Sequence, residues 1–191
     1  MNQKESKALQ LQKLYETYKK CLSCPLEILE NHNIVLGSGN PDAQLMIIGE
    51  APGKDEDEQG IPFVGRSGKF LTKILSLLGI DRKELFITNT VKCRPPQNRK
   101  PTPLEAKTYK DLLISEINII KPKVICTLGS TAIESLLEKP IKIGEVHGTP
   151  LIFNSITIIP TYHPSYIMRN QKKLHLFTKD LLMAYSISNQ Q

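Results

Sequence analysis

The chain has 191 residues, of which 40% are hydrophobic and 23% are charged, and Lys and Arg outnumber Asp and Glu by 25 to 19. This composition disfavours an intrinsically disordered chain, and the length predicts one globular domain spanning residues 1–191. The sequence contains no signal-like apolar core near its N-terminus and no run of about 18 apolar residues. We therefore expect a cytoplasmic protein without membrane contact, and the net charge of +6 is compatible with a polyanionic partner.

Hydrophobic periodicity predicts alternating helices and strands. Apolar side chains recur at helical spacing over residues 5–20, which predicts an amphipathic helix that ends just before Cys21. Four short apolar runs predict buried strands at residues 45–48, 85–89, 124–128 and 156–159, and helical patterns lie between them at residues 68–78, 103–120 and 130–137. This alternation is typical of an α/β fold, so we expect a three-layer α/β/α sandwich with a central, mostly parallel four-stranded sheet.

The segments that follow three of these strands are rich in polar and turn-forming residues. They are Gly49-Glu50-Ala51-Pro52-Gly53, Asn89-Thr90-Val91-Lys92-Cys93-Arg94-Pro95-Pro96 and Pro160-Thr161-Tyr162-His163-Pro164-Ser165. Ligands of open parallel sheets bind at the carboxyl ends of the strands. We therefore expect these three segments to meet in one site.

The same segments resemble the signature motifs of the family 4 uracil-DNA glycosylases. The first motif continues into Gly60-Ile61-Pro62-Phe63-Val64-Gly65 and Ser67-Gly68, the second into Asn98-Arg99 and Pro101, and the last is His163-Pro164-Ser165. The resemblance runs from about residue 21 to about residue 169. It implies a uracil-DNA glycosylase-like fold and a DNA-repair enzyme, expected as a monomer. Such an enzyme flips uracil out of single- or double-stranded DNA, hydrolyses its N-glycosidic bond and leaves an abasic site.

Three side chains in these motifs suit the recognition and release of uracil. The resemblance implies that Phe63 stacks on the flipped ring, beside a small Gly65 that limits side-chain bulk. Asn89 can accept from uracil N3–H and donate to O4, a pairing that cytosine would mismatch. His163 can donate, as a neutral imidazole or as an imidazolium, to the negative charge that develops on uracil O2.

Glu50 is the candidate residue for activating or placing the water that attacks the sugar. It could act as a general base, as an electrostatic partner of the sugar cation or as a structural anchor. The backbone around it is expected to approach uracil O2, and its residues are Gly49, Ala51, Pro52 and Gly53. We interpret the neighbouring acidic run, residues 55–58, as a solvated loop and helix cap rather than as a metal site.

The resemblance also indicates where DNA would bind. Arg66 and Ser67 follow the first motif, and Pro164 and Ser165 are expected to press on the DNA backbone. The next four residues resemble a loop that enters the gap left by the flipped base: Tyr166, Ile167, Met168 and Arg169. Basic side chains near the motifs are candidates for phosphate contacts: Arg66, Lys69, Lys92, Arg94, Arg99, Lys100, Lys172 and Lys173.

Family 4 enzymes hold a [4Fe–4S] cluster on four cysteines, and this chain matches three of the positions, with Cys21, Cys24 and Cys93. The fourth position is Tyr109, which departs from the family pattern. The three matching cysteines are compatible with a [3Fe–4S] cluster, a [4Fe–4S] cluster with a non-cysteine fourth ligand, a labile site or zinc. Cys126 lies inside a predicted strand and is interpreted as a packing residue. No nucleotide cofactor is expected.

Two alternatives to an active glycosylase remain open on the sequence. The substitution at Tyr109 motivates a nucleic-acid-binding homologue with lost or reduced turnover. The acidic run at residues 55–58 motivates a metal-dependent nuclease.

Overall fold

The sheet of this protein contains four parallel strands and two antiparallel edge strands. The computed structural model describes residues 5–20 and 33–190. The strands are β1 (Ser38–Gly39), β2 (Leu45–Gly49), β3 (Phe86–Asn89), β4 (Val124–Leu128), β5 (Leu151–Phe153) and β6 (Ile156–Thr161). Their order in the sheet is β1-β3-β2-β4-β6-β5. Strands β3, β2, β4 and β6 run parallel, and β1 and β5 pair antiparallel at the two edges.

Helices cover both faces of this sheet. They are α1 (Lys7–Lys20), α2 (Lys54–Gln59), α3 (Arg66–Leu77), α4 (Pro103–Thr108), α5 (Lys110–Ile120), α6 (Ser130–Leu137), α7 (Ile143–Val146), α8 (Pro164–Arg169) and α9 (Leu174–Ser188). Short 3₁₀ turns occur at Arg82–Glu84, Pro96–Asn98 and Gln171–Lys173. None of the helices in the described part of the chain is long and apolar enough to cross a membrane.

Alternate side chains of the central strands enter two different cores. Leu45 and Ile47 of β2 pack with residues of α3, α8 and α9, whereas Met46 and Ile48 pack with residues of α1, α5 and α6. A strand buried on both faces needs apolar residues at successive positions, which explains the short continuous apolar runs of the sequence. The predicted three-layer α/β/α architecture is confirmed.

The sheet differs from the prediction, because the described residues contribute six strands to it instead of four. Both additional strands are short edge strands, and β1 lies within a segment of turn-forming residues. Strand β5 forms a hairpin with β6 through Asn154 and Ser155, whose φ angles are 46° and 68°. Two consecutive residues with positive φ are typical of the tight turns that connect hairpin strands. The short length of β1 and β5 leaves too little periodicity to reveal them in the sequence.

The helix predicted over residues 103–120 is interrupted at Tyr109, where φ is −95° and ψ is 0°. Its start agrees with the prediction, because Pro103 is the first helical residue and Thr102 forms a capping box with Glu105. The interruption separates α4 from α5 and leaves Tyr109 buried, with 4% of its surface exposed. Tyr109 therefore lies at a bend in the chain that the helical periodicity of the sequence does not indicate.

Candidate active site

The segments after β2, β3 and β6 meet at the carboxyl edge of the parallel strands. A cleft of about 530 Å³ opens there, with Glu50 and His163 in its wall and with Arg169 and Lys173 among its basic lining residues. Gly129 and Ser130, which follow β4, also line it and were not singled out in the sequence. Phe63 and Asn89 lie deeper, with 5% and 1% of their surfaces exposed. The structure thus brings the sequence-predicted residues to one edge of the sheet.

Gly49 is the point at which Phe63 and Asn89 meet. A Cβ atom on Gly49 would lie 2.4 Å from Asn89 Oδ1 and 2.4 Å from Phe63 Cζ, which is closer than any real contact. Only glycine leaves room for both side chains. The aromatic ring and the amide are consequently held side by side over the end of β2.

The amide of Asn89 has an acceptor without a hydrogen-bond partner among the described residues. Its Oδ1 atom is buried and receives no hydrogen bond from the described residues. Buried polar atoms are almost always paired, and an unpaired one is costly to the folded state. A ligand that offers an N–H group at this position would satisfy it.

A fully buried ion pair lies behind Asn89. Lys92 Nζ is 2.7 Å from Glu116 Oε2, with neither side chain exposed. The same ammonium donates to the backbone carbonyl of Asn89 over 2.8 Å. Burial lowers the pKa of Lys92, while the carboxylate of Glu116 opposes that shift. The prediction that Lys92 contacts phosphate is wrong, because its side chain is enclosed by the protein.

The loop that carries Phe63 is held by Glu56. One carboxylate oxygen of Glu56 accepts from the N–H groups of Val64 and Gly65, and the other accepts from Gly53 N–H. Glu56 is 6% exposed, as is Asp57. The acidic run caps a helix, as predicted, but it lies within α2 rather than in a loop, and its two central residues are not solvated. No group of three metal-binding side chains occurs among residues 5–20 and 33–190.

Phe63 adopts a backbone conformation that is unusual for a bulky residue, with φ at 55°. Gly68, in the first turn of α3, packs directly against it, since a Cβ there would lie 2.0 Å from the Phe63 carbonyl carbon. The sequence-based expectation that Gly65 provides this space needs correction, because the atoms nearest to a Cβ on Gly65 belong to Glu56 and Asp55. Strained residues of this kind cluster at functional sites.

His163 is neutral, and its protonation pattern is fixed by its surroundings. The backbone N–H of Ser165 donates to His163 Nδ1 over 3.2 Å, so Nδ1 is an acceptor and Nε2 carries the proton. Removal from water, with a smaller effect from the positive charge of Arg169, lowers the pKa of His163 to about 4. The sequence left imidazole and imidazolium open, and the structure favours the imidazole.

Glu50 is held by a residue that sequence reasoning missed. Thr131 Oγ1 donates to Glu50 Oε2 over 2.6 Å, and Thr131 is 6% exposed in the first turn of α6. One carboxylate oxygen of Glu50 is thereby fixed by the protein. The only signal in the sequence was a hydroxyl close behind the end of a parallel strand, which is too common a feature to be diagnostic.

The residues predicted to bind DNA divide into exposed and buried groups. Arg66 and Arg169 are exposed, whereas Ile167 is fully buried among core residues. Ile167 is therefore not available to enter a DNA gap in this conformation, because it anchors α8 to the core. Tyr166 and Met168 are partly exposed on the same helix.

Two further predicted DNA contacts, Ser165 and Pro164, directly follow His163. Ser165 Oγ is 2.7 Å from His163 Nδ1, and Pro164 is buried. Arg99, a candidate for phosphate contact, forms a two-pronged ion pair with Glu105 at 2.6 and 2.8 Å. Glu105 therefore neutralises the positive charge of Arg99 next to the cleft.

Cys93 and Tyr109 are in contact in a third, smaller apolar core. The Tyr109 hydroxyl donates to Cys93 Sγ over 2.9 Å, and Cys93 is fully buried. Tyr18, near the end of α1, packs against the same core. Cys21 and Cys24 lie outside the described residues. Cys126 is enclosed in the core beneath α9, where burial raises the pKa of its thiol, as expected for a packing residue.

Comparisons with known proteins agree with this geometry. A model of the Uracil DNA glycosylase superfamily matches residues 36–184. The type-4 uracil-DNA glycosylase of Thermotoga maritima is 46% identical over 158 residues, which cover 82% of each chain. That of Pyrobaculum aerophilum is 41% identical over 185 residues, which cover 93% of this chain and 94% of the relative. The type-5 uracil-DNA glycosylase of Pyrobaculum aerophilum is 29% identical over 157 residues. The resemblance drawn from the motifs is confirmed, and the chain belongs to the uracil DNA glycosylase superfamily, in its type-4 group.

Proposed function

We propose that this protein excises uracil from DNA by hydrolysing the N-glycosidic bond between the base and deoxyribose. The observation that carries this proposal is the Oδ1 of Asn89, which is buried next to the ring of Phe63 and has no partner within residues 5–20 and 33–190. Uracil presents an N–H at position 3 and a flat aromatic face, and it satisfies both groups. Cytosine has no proton at that position, so it would leave Asn89 Oδ1 unsatisfied.

His163 and Glu50 supply the chemistry on the two sides of the bond that breaks. As the C1′–N1 bond breaks, its electron pair moves into the uracil ring, and the Nε2–H of His163 donates to the charge that develops on O2. Donors that are already oriented cost no reorganisation during the reaction. Glu50, held at one oxygen by Thr131, directs a water to C1′. The water oxygen bonds to C1′. The proton that the water loses neutralises the uracil anion that leaves.

The DNA strand lies across the mouth of the cleft in this proposal. Arg169 and Lys173 line the cleft, and Arg66 is exposed beside the Phe63 loop. Phosphate contacts of this kind weaken with salt. Met168 and Tyr166, rather than the buried Ile167, are the side chains of α8 that fill the gap left by the flipped nucleotide.

The residues around Cys93 fit an iron–sulfur cluster. Cys93 is enclosed by apolar side chains, and Tyr18 of α1 reaches this core two residues before the chain leaves α1, just ahead of Cys21. We propose that Cys21, Cys24 and Cys93 hold the cluster, with the hydroxyl of Tyr109 beside the Cys93 sulfur. When bound, the cluster supplies a crosslink between the N-terminal segment and the loop after β3.

Three further parts of the proposal concern the whole chain. We propose that residues 1–191 form one domain, and that the protein acts as a monomer in the cytoplasm. The continuous sheet supports the first part. The molar mass of the purified protein, measured by light scattering, tests whether it is a monomer.

A uracil-containing oligonucleotide tests the proposed function against both alternatives. Treatment with the protein and then with alkali cuts the strand at the abasic site if uracil is excised. The Asn89→Ala variant serves as the matched control, and scission no greater than with this variant supports a binding homologue without turnover. Scission that needs no alkali and disappears with EDTA supports a metal-dependent nuclease instead.

A further inference from the structure

We propose that Lys92 and Glu116 form a buried positioning pair that fixes Asn89 for reading the base and thereby sets the selectivity for uracil. This inference rests on the proposed function, because it concerns the same pocket. Neither residue lines the cleft, and both act through Asn89.

Lys92 has an ammonium whose hydrogen-bonding capacity is used by the protein. Its Nζ donates to Thr88 Oγ1 over 2.6 Å, to the Asn89 carbonyl over 2.8 Å and to Glu116 Oε2 over 2.7 Å. An ammonium has three N–H groups, so these contacts account for all of them. One of the three ends on the backbone of the residue that reads the base.

Glu116 is equally well satisfied, and its partners come from separate parts of the chain. Oε1 accepts from the Tyr15 hydroxyl over 2.8 Å and from Gly37 N–H over 3.1 Å. Oε2 accepts from Thr88 Oγ1 as well as from Lys92. The pair therefore connects α1, the segment before β1, the end of β3 and α5 at a point directly behind the pocket.

The position of the Asn89 amide depends on this network because its own Oδ1 has no partner in the part of the chain that the structure describes. An amide side chain without a partner at its acceptor is oriented by its backbone and by packing. The backbone carbonyl of Asn89 is held by Lys92, and its amide packs against Gly49, which the ring of Phe63 also contacts. A buried ion pair seldom improves stability over apolar residues of the same size. Its presence here is explained by the need to hold Asn89.

The test compares two variants that differ in the donor to Asn89. Lys92→Met with Glu116→Gln removes the pair without leaving a buried charge, whereas Thr127→Val changes a buried threonine of β4 outside this network and keeps the contact of Lys92 with the Asn89 carbonyl. The probes are two single-stranded oligonucleotides that carry one 2′-fluoro-2′-deoxyuridine or one 2′-fluoro-2′-deoxycytidine, because the fluorine slows hydrolysis. Fluorescence anisotropy gives the ratio of the two affinities, which measures selectivity.

We expect the double variant to lose roughly tenfold of this ratio, within the range for coupled neighbours, and Thr127→Val to lose less than about twofold. In an Asn89→Ala background, removal of the pair should change the ratio by less than about twofold, because the pair acts through Asn89. An unchanged ratio in the double variant overturns the proposal. So does an equal loss with and without Asn89, which indicates a general structural role.

A second readout separates this inference from the proposed function. The side-chain amide signal of Asn89 in NMR spectra should move in the double variant and stay in place in Thr127→Val. If the wild-type protein shows no preference for uracil, the proposed function fails, while the NMR comparison still decides whether the pair positions Asn89. An unmoved Asn89 signal in the double variant overturns the inference alone.

Discussion

The hydroxyl of Tyr109 donates a hydrogen bond to the sulfur of Cys93 over 2.9 Å, with both side chains buried. Tyr109 stands where the resemblance to the family 4 enzymes places a fourth cysteine. The side chain at that position therefore contacts the sulfur of a cysteine that we propose as a cluster ligand. Hydrogen bonds to cluster sulfurs are among the interactions that set the properties of iron–sulfur sites.

The first prediction concerns this contact. Tyr109→Cys should raise the iron bound per chain and slow the loss of visible absorbance in air, because it restores a thiolate ligand. Iron analysis and absorbance of anaerobically purified protein measure both effects. Tyr185→Phe, which removes a phenol hydroxyl bonded to Glu84 far from Cys93, is the control. Equal iron in Tyr109→Cys and wild type would contradict the predicted role of this position.

A second prediction concerns Thr131, which donates to Glu50 over 2.6 Å. Thr131→Val should reduce kcat by roughly tenfold and leave KM nearly unchanged, because a hydrogen bond to a charged group contributes about 1.5–3 kcal/mol and water compensates part of it. Steady-state kinetics on a uracil-containing oligonucleotide measure this change.

Thr127→Val is the matched control for that substitution. Thr127 is a buried threonine of β4 whose hydroxyl has no partner among the described residues. Its removal should leave kcat unchanged and should not lower the melting temperature. A similar loss of kcat in both variants would mean that Thr131 does not act through Glu50.

A third prediction concerns pH. The folded pKa of His163 is about 4, below the ordinary value of 6.5, so between these values the unfolded chain binds a proton that the folded chain does not. The stability that this residue contributes is present above pH 6.5 and is lost as pH falls towards 4. Single-turnover rates should show no loss with a midpoint near 6.5, because the reactive imidazole stays neutral.

NMR spectra of ¹⁵N-labelled protein check the same point directly. They should show His163 protonated on Nε2 and unprotonated on Nδ1 at neutral pH, because Ser165 N–H occupies Nδ1. A histidine that titrates near 6.5 and whose titration parallels the reaction rate would show that the imidazolium is the active form.

A fourth prediction concerns the loop of Phe63. Glu56→Gln should lower the free energy of unfolding by about 2 kcal/mol, because one amide oxygen cannot replace a carboxylate that accepts three backbone N–H groups. Denaturant unfolding measures the loss. Glu58→Gln changes an exposed carboxylate of the same helix, paired with Lys54 at 3.7 Å, and should have little effect. Equal effects of the two substitutions would show that Glu56 does not hold the loop.

The sequence predicted the parallel strands and the motif residues because these depend on local patterns. The buried run of β4, for example, is apolar at nearly every position, as both faces of the sheet require. Glu56 and Lys92 were misjudged as solvent-exposed charges, because their burial depends on partners that lie in other segments of the sequence. Lys92 meets Glu116, 24 residues away, and nothing in the local pattern indicates that pairing.

The break at Tyr109 and the support of Glu50 by Thr131 were missed for a related reason. Tyr109 contacts Cys93, 16 residues away, and Thr131 contacts Glu50, 81 residues away, and these elements come together only in the folded chain. A motif shows which residue types are present. The unpaired Asn89 acceptor, the neutral His163 and the charge behind Asn89 become visible only with their neighbours in place.

Base release from two matched oligonucleotides tests most directly whether this protein reads uracil through Asn89. The oligonucleotides differ only in carrying one deoxyuridine or one deoxycytidine, and chromatography quantifies the free base released under single-turnover conditions. We predict release of uracil at a rate at least about 10⁴-fold above that of cytosine, the discrimination achieved by sites that pair every polar group of the ligand. Asn89→Ala should remove most of that difference. Failure to release uracil, or equal release of the two bases by the wild-type protein, would contradict the proposed function.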